Sequence, residues 1–300
     1  MKPQNSAVET DPHSSPAEPS TAEPVTPVAT ERGGSAAERG SAEKRGSATK
    51  RTSAKRAAAA EQRARGTRTW LEGSRTARAW NGTLLAYTAV AVGAALVLSV
   101  AARTQLEAPL GPVLSSVLLW IGMAVPVVIA LTRSRPRGLF RFRWTDLLWG
   151  LGLGVLLRIV QGWLEVAAGS PGGLPSYSTL GGELNINPTW LLLAIFGPVL
   201  ILPLLEELLF RGVVLVSVYR MARHGLEAGM LAIVASTGAF VAIHAVNGMN
   251  RWDEPVYLTL VGLTCGMLVL FTGRIWGAVL VHMVFNGMWV ALALTGTALA

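Results

Sequence analysis

From Thr83 onward the chain is a succession of apolar runs of about 17 to 25 residues, the length at which a helix crosses the hydrocarbon core of a bilayer. This feature narrows the fold more than any other, because backbone N–H and C=O groups in lipid must be bonded within the protein. The runs read as residues 83–102, 110–131, 146–168, 188–219, 228–246, 256–272 and 276–298. They predict an all-α, polytopic transmembrane bundle of about seven spans. Residues 1–80 are a polar tail and 81–300 the membrane domain.

Residues 1 to about 43 are rich in Pro, Ser, Thr, Ala and Glu and carry too little apolar surface to offset the entropy of ordering. They are expected to be disordered. Units beginning at Arg39, Arg45 and Arg51 recur every six residues and read as a flexible basic linker, with a transient helix expected from Ala57 to about Arg68. No short apolar run follows Met1, which predicts that the tail stays on the side of synthesis. Trp70 and Trp80 are placed to anchor the chain at the membrane interface.

The formal net charge of +8 comes mostly from residues 44–78, where only Glu61 and Glu72 oppose the Lys and Arg side chains. A polybasic run beside a first span is attracted to anionic lipid headgroups and sets topology. A single aromatic, Trp70, falls within this run and offers no series of rings to stack on successive bases, so no specific nucleic-acid partner is expected. Positive residues alternate between connections. The loop after the second span holds Arg133, Arg135, Arg137, Arg141 and Arg143, that after the first only Arg103, and residues 169–187 none. This predicts a multi-pass cell-membrane protein with a cytoplasmic N-terminus. The single cysteine, Cys265, supports neither a disulfide framework nor a cysteine-rich metal site.

Against this apolar background the polar groups inside the spans stand out. Arg158 and Glu165 lie seven apart in the third span and read as an internal ion pair outside any site. The fourth span carries Glu206, Glu207 and Arg211. An ionised group within a bilayer costs at least about 2.5 kcal/mol and marks a functional site by default. Glu207 and Arg211, four apart, share a helix face and can neutralise each other, while Glu206 points about 100° away and lacks a local partner. A structural ion pair joining two helices is the competing reading of the segment. His244 lies one turn from Phe240 in the fifth span, and His282 one turn from Asn286 in the seventh. Converging in a cavity, such groups could run a hydrolysis. A carboxylate takes a proton from water, a neutral imidazole orients that water, and His with Asn donates to a developing oxyanion. No Ser or Cys accompanies them as a nucleophile.

The ordered set Glu206-Glu207-x-x-x-Arg211, Phe240-x-x-x-His244 and His282-x-x-x-Asn286 resembles the motifs of the CPBP family of intramembrane proteases. This family is also called the CAAX-protease and bacteriocin-processing or Abi family, and it includes the Rce1-type enzymes that trim prenylated proteins. The resemblance implies a CPBP-type protease domain over residues 81–300 and a membrane-associated protein or peptide as substrate. It implies Glu206 as the base activating water with His244 assisting, His282 and Asn286 as oxyanion donors, and Glu207, Arg211 and Phe240 in support. The family has also been regarded as metal-dependent, and two histidines with a glutamate make a conceivable zinc set. The compact His-Glu-x-x-His arrangement is missing, so a cofactor-free glutamate mechanism is the expectation, with zinc the alternative. A non-catalytic immunity or scaffold protein and a proton relay are the rival classes. Arg211 in the fourth span and Arg220 just beyond it place the expected chemistry in the cytoplasmic half of the bilayer.

Overall fold

The computed structural model describes residues 53–57, 69–73, 75–170, 172–177, 186–223, 225–246 and 248–299. The chain divides into two units, Met1–Ala57 and Ala58–Ala300. In the first, residues 53–57 form a short exposed helical stretch. The expected disorder of residues 1–43, most of the basic linker and nearly all of the transient helix lie outside the described residues.

Among the described residues of the second unit, seven helices are long and apolar enough to cross a membrane: α1 (Gly82–Gln105), α2 (Leu110–Arg133), α3 (Thr145–Ala167), α4 (Pro188–Met221), α5 (Leu226–Val246), α6 (Asp253–Thr272) and α7 (Trp276–Leu299). No strand occurs among the described residues. The protein is an all-helical, multi-pass membrane protein, and the helix ends lie within a few residues of those read from hydropathy. Helix α1 pairs with α2, α3 with α7 and α5 with α6, while α4 runs between them in contact with α2, α5 and α7.

Small residues let these helices approach closely, as packing without a hydrophobic drive between them requires. A Cβ at Gly150 of α3 would overlap Leu280 of α7, and one at Gly262 of α6 would lie 2.6 Å from Cγ2 of Thr237 in α5. Helix α6 ends at Gly273, whose left-handed φ of 68° stops the helix. The Gly273 carbonyl then accepts a 2.9 Å hydrogen bond from Trp70 Nε1.

That bond revises the expected role of the two tryptophans. Trp70 and Trp80 are buried within the protein, and Trp80 Nε1 donates to the Ser134 carbonyl at 3.0 Å. Each indole N–H meets a helix-end carbonyl that a lipid headgroup would otherwise have to satisfy, and the ring fills apolar space beneath it. Residues 69–73 and 75–80 thus line the arginine-rich face of the bundle. There Ile275 N donates to the Leu139 carbonyl, and Arg274 meets Asp146 at 2.6 Å.

Helix α4 is continuous over 34 residues but changes its winding. It is π-helical over Leu191–Ile201 and Glu207–Val214, with an α-helical stretch, Leu202–Glu206, between them. Prolines explain one consequence. Leu202 N–H reaches back five residues to the Gly197 carbonyl, so the next bond in that register would run from residue 203 to Pro198. Pro203 has no N–H to give. The Pro198 carbonyl is left open within the bundle, and Asn286 Nδ2 of α7 donates to it at 2.8 Å.

Candidate active site

The residues singled out from the sequence meet where α4, α5 and α7 face one another. Glu207 and Arg211, one turn apart on α4, form a fully buried 2.8 Å pair. The same Glu207 oxygen lies 3.0 Å from Nδ1 of His282. A carboxylate oxygen only accepts, so Nδ1 carries the hydrogen and His282 presents Nε2 to the cavity. Arg211 Nη2 also donates to the Gly262 carbonyl at 3.3 Å, fixing α4 to α6. Glu207, Arg211 and His282 therefore form one chain of contacts that sets the imidazole's orientation.

Glu206 is the member left over. It is 3% exposed, and its carboxylate lies between two imidazoles: Oε1 is 3.8 Å from His244 Nε2 and Oε2 is 3.5 Å from His282 Nε2. Among the described residues it accepts no hydrogen bond, and Oε2 is buried without a partner. His244 Nδ1 lies 2.9 Å from the carbonyl of Phe240, one turn back on α5, and donates to it. Its Nε2 then faces Glu206 as an acceptor.

Phe240 does more than line the pocket. Its ring is fully buried, packs 4.5 Å from the His244 ring and 5.7 Å from that of His282, and lies 4.8 Å from the Arg211 guanidinium carbon. A ring face against a desolvated cation is an attractive contact. The Phe-x-x-x-His spacing thus sets one histidine through its backbone and both through ring packing. Asn286 is brought to the same place, with its amide nitrogen on the Pro198 carbonyl.

A cavity of about 260 Å³ opens from this cluster, lined among others by Glu206, His244, His282 and Asn286. Arg158 and Gln161 of α3, Tyr257 of α6 and Trp289 of α7 complete its wall, and none of these was picked out as a site residue in the sequence. The expected pairing of Arg158 with Glu165 is present, but at 3.6 Å. What the spacing alone could not show is that Arg158 also faces the cavity.

The cavity reaches from the middle of the bundle, where His282 lies six residues from Trp276, toward the face opposite the arginine-rich one. His244 is two residues from the end of α5 at Val246, Tyr257 four residues into α6, and Gln161 six from the end of α3 at Ala167. These ends carry the loops opposite Arg133–Arg143, Arg220 and Arg274. Arg211 is fully buried against Glu207 and carries no topological signal, and Arg220 lies fourteen residues beyond Glu206.

Two imidazoles and a carboxylate converge here, yet no group of three or more His, Cys, Asp or Glu among the described residues is arranged to hold a metal ion. Cys265, buried beside this region, is free.

Residues 188–288 match the family model described as type II CAAX prenyl endopeptidase Rce1-like. The match runs from the start of α4 into α7 and takes in all three motifs. The match is consistent with the CPBP resemblance carried by Glu206, His244 and His282. Neither the curated proteins nor the solved structures include a match to this chain.

Proposed function

We propose that the protein is an intramembrane endopeptidase that hydrolyses a peptide bond of a membrane-associated protein or peptide without a metal cofactor. One observation carries this reading. A buried carboxylate, Glu206, lacks a hydrogen-bond partner among the described residues and lies between the Nε2 atoms of His244 and His282. The 3.8 Å gap from Glu206 to His244 exceeds a direct hydrogen bond and suits a shared water donating to both. Glu206 takes one proton of that water as its oxygen attacks the scissile carbonyl carbon.

The resulting oxyanion accepts from His282 Nε2–H and from the second N–H of Asn286 Nδ2, the first being held by the Pro198 carbonyl. For Nε2 to donate, His282 is the imidazolium. Two carboxylates, Arg211 and His282 then sum to zero charge, which a buried cluster favours. When the tetrahedral intermediate collapses the C–N bond breaks, and Glu206 returns its proton to the leaving amine.

With the N-terminus in the cytoplasm, as the arginine-rich loops imply, the loops after α3 and α5 face the outside. Impermeant maleimide should then label Gly172→Cys in intact cells and spare Arg141→Cys; the opposite pattern reverses the orientation.

The decisive assay is cleavage of a membrane-peptide library by reconstituted protein. Cleavage that survives Glu206→Gln and His244→Ala sinks the mechanism. Absence of cleavage across the library favours the non-catalytic immunity or scaffold class. Inhibition by 1,10-phenanthroline that zinc reverses would establish the zinc alternative, which the convergence of two imidazoles on Glu206 motivates.

A further inference from the structure

The cavity contains a cation that the proposed hydrolysis does not use. Arg158 is 7% exposed on α3, in the wall shared with Glu206, His244, His282 and Asn286. Arginine has five N–H donors. Among the described residues, none of those on Arg158 makes a hydrogen bond, and none is sealed from the cavity as the Nε of Arg211 is. Its contacts are the 3.6 Å ion pair with Glu165 and the ring of Phe285, 5.4 Å from the guanidinium carbon.

The other buried guanidinium of the core behaves differently. Arg211 is bonded at 2.8 Å to Glu207 and at 3.3 Å to the Gly262 carbonyl. The partner of Arg158 is also engaged elsewhere. Glu165 is 36% exposed on its side chain and accepts a 2.7 Å bond from Gln161 Nε2. A structural pair would close to hydrogen-bond distance, because leaving donors unmet in a buried site costs free energy. Instead a planar fork of donors is held open toward a cavity with apolar walls formed by Leu258, Val261, Phe285 and Trp289.

From this geometry we infer that Arg158 docks a carboxylate of the substrate in the cavity, so that the enzyme selects peptides carrying a negative charge close to the bond that Glu206 addresses. Guanidinium and carboxylate match as a two-bond fork. The inference deepens the protease reading and rests on it for the identity of the cavity's occupant. The carboxylate has two sources, a chain terminus or an acidic side chain. A terminus would make the protein a processor of peptide C-terminal ends.

The test uses full-length Glu206→Gln protein in detergent and a fluorescein-labelled apolar hexapeptide of alanine, leucine and valine. Three forms are compared by anisotropy: free acid, C-terminal amide, and amide with one glutamate in place of leucine. One charged form binds about 10-fold or more tightly than the plain amide, and which one does so identifies the source. Adding Arg158→Gln collapses the ratio, and adding Arg158→Lys keeps part of it. Glu165→Gln tightens the charged form by removing the competing carboxylate, whereas a merely structural pair predicts no gain.

Equal affinity for all three forms overturns the inference, as does a preference that survives Arg158→Gln, and so does failure of every form to bind. Cleavage by the unmodified protein is read separately. A carboxylate preference in binding without any cleavage would retire the protease reading and leave the docking site standing. Cleavage indifferent to charge would do the reverse.

Discussion

Asp146 and Glu206 are both buried carboxylates of a membrane protein, and they differ in what surrounds them. Asp146, at the arginine-rich end of α3, accepts from Arg274 Nη2 at 2.6 Å, from Arg274 Nε at 3.2 Å and from the Arg143 backbone N–H at 2.8 Å. Its acceptor capacity is taken up, and it ties the α6–α7 turn to the start of α3. Glu206 is almost as buried, yet its neighbours at 3.5 and 3.8 Å leave it without a hydrogen bond among the described residues. The contrast separates an ionic group whose acceptors are met by the fold from one whose acceptors are left open. Burial does not distinguish them; the satisfaction of their acceptors does.

The sharpest break in this comparison comes from neutralising each carboxylate in turn. Glu206→Gln should lower cleavage by about 10²- to 10⁴-fold, the usual contribution of a positioned general base, while the melting temperature of the purified protein hardly moves. Next in size, Asn286→Ala removes one oxyanion donor. A fall of about 10²- to 10³-fold in kcat, with KM nearly unchanged, is expected in steady-state kinetics. A fall confined to KM would assign Asn286 to the Pro198 carbonyl alone.

Asp146→Asn should show the opposite pattern. It leaves Arg274 short of its counter-charge and destabilises by about 3 kcal/mol in denaturant titration, with cleavage per folded molecule retained. A catalytic defect in Asp146→Asn at full stability would dissolve the distinction between the two sites. The smallest expected effect is that of 1,10-phenanthroline, which should leave the rate of the purified enzyme unchanged.

Much of this was legible in the chain because lipid permits few solutions. Seven apolar runs became α1 to α7, since hydrogen bonding within a segment satisfies a backbone in hydrocarbon. The pairing of Glu207 with Arg211 followed from their spacing, which places them on one face of the helix. The same spacing turned Glu206 away from that pair. Other features were not accessible, because they depend on atoms distant in sequence. Trp70 and Trp80 look like interface anchors until the carbonyls of Gly273 and Ser134 are found above their indoles. Arg158 looks like half of a local pair until the packing of α3 against α7 turns it to the cavity wall.

The sequence by itself determined the all-helical class, the number of apolar helices and the polar groups within them, because periodicity and the cost of charge in lipid act within one segment. Only the tertiary structure decided that Glu206 lies between two imidazoles, that Asn286 answers the carbonyl left open by Pro203, and that Arg158 joins the cavity wall. Those facts depend on how α3, α4, α5, α6 and α7 approach one another. The approach is set by small residues such as Gly150 and Gly262 and by buried bonds across helices, whose partners no local pattern reveals.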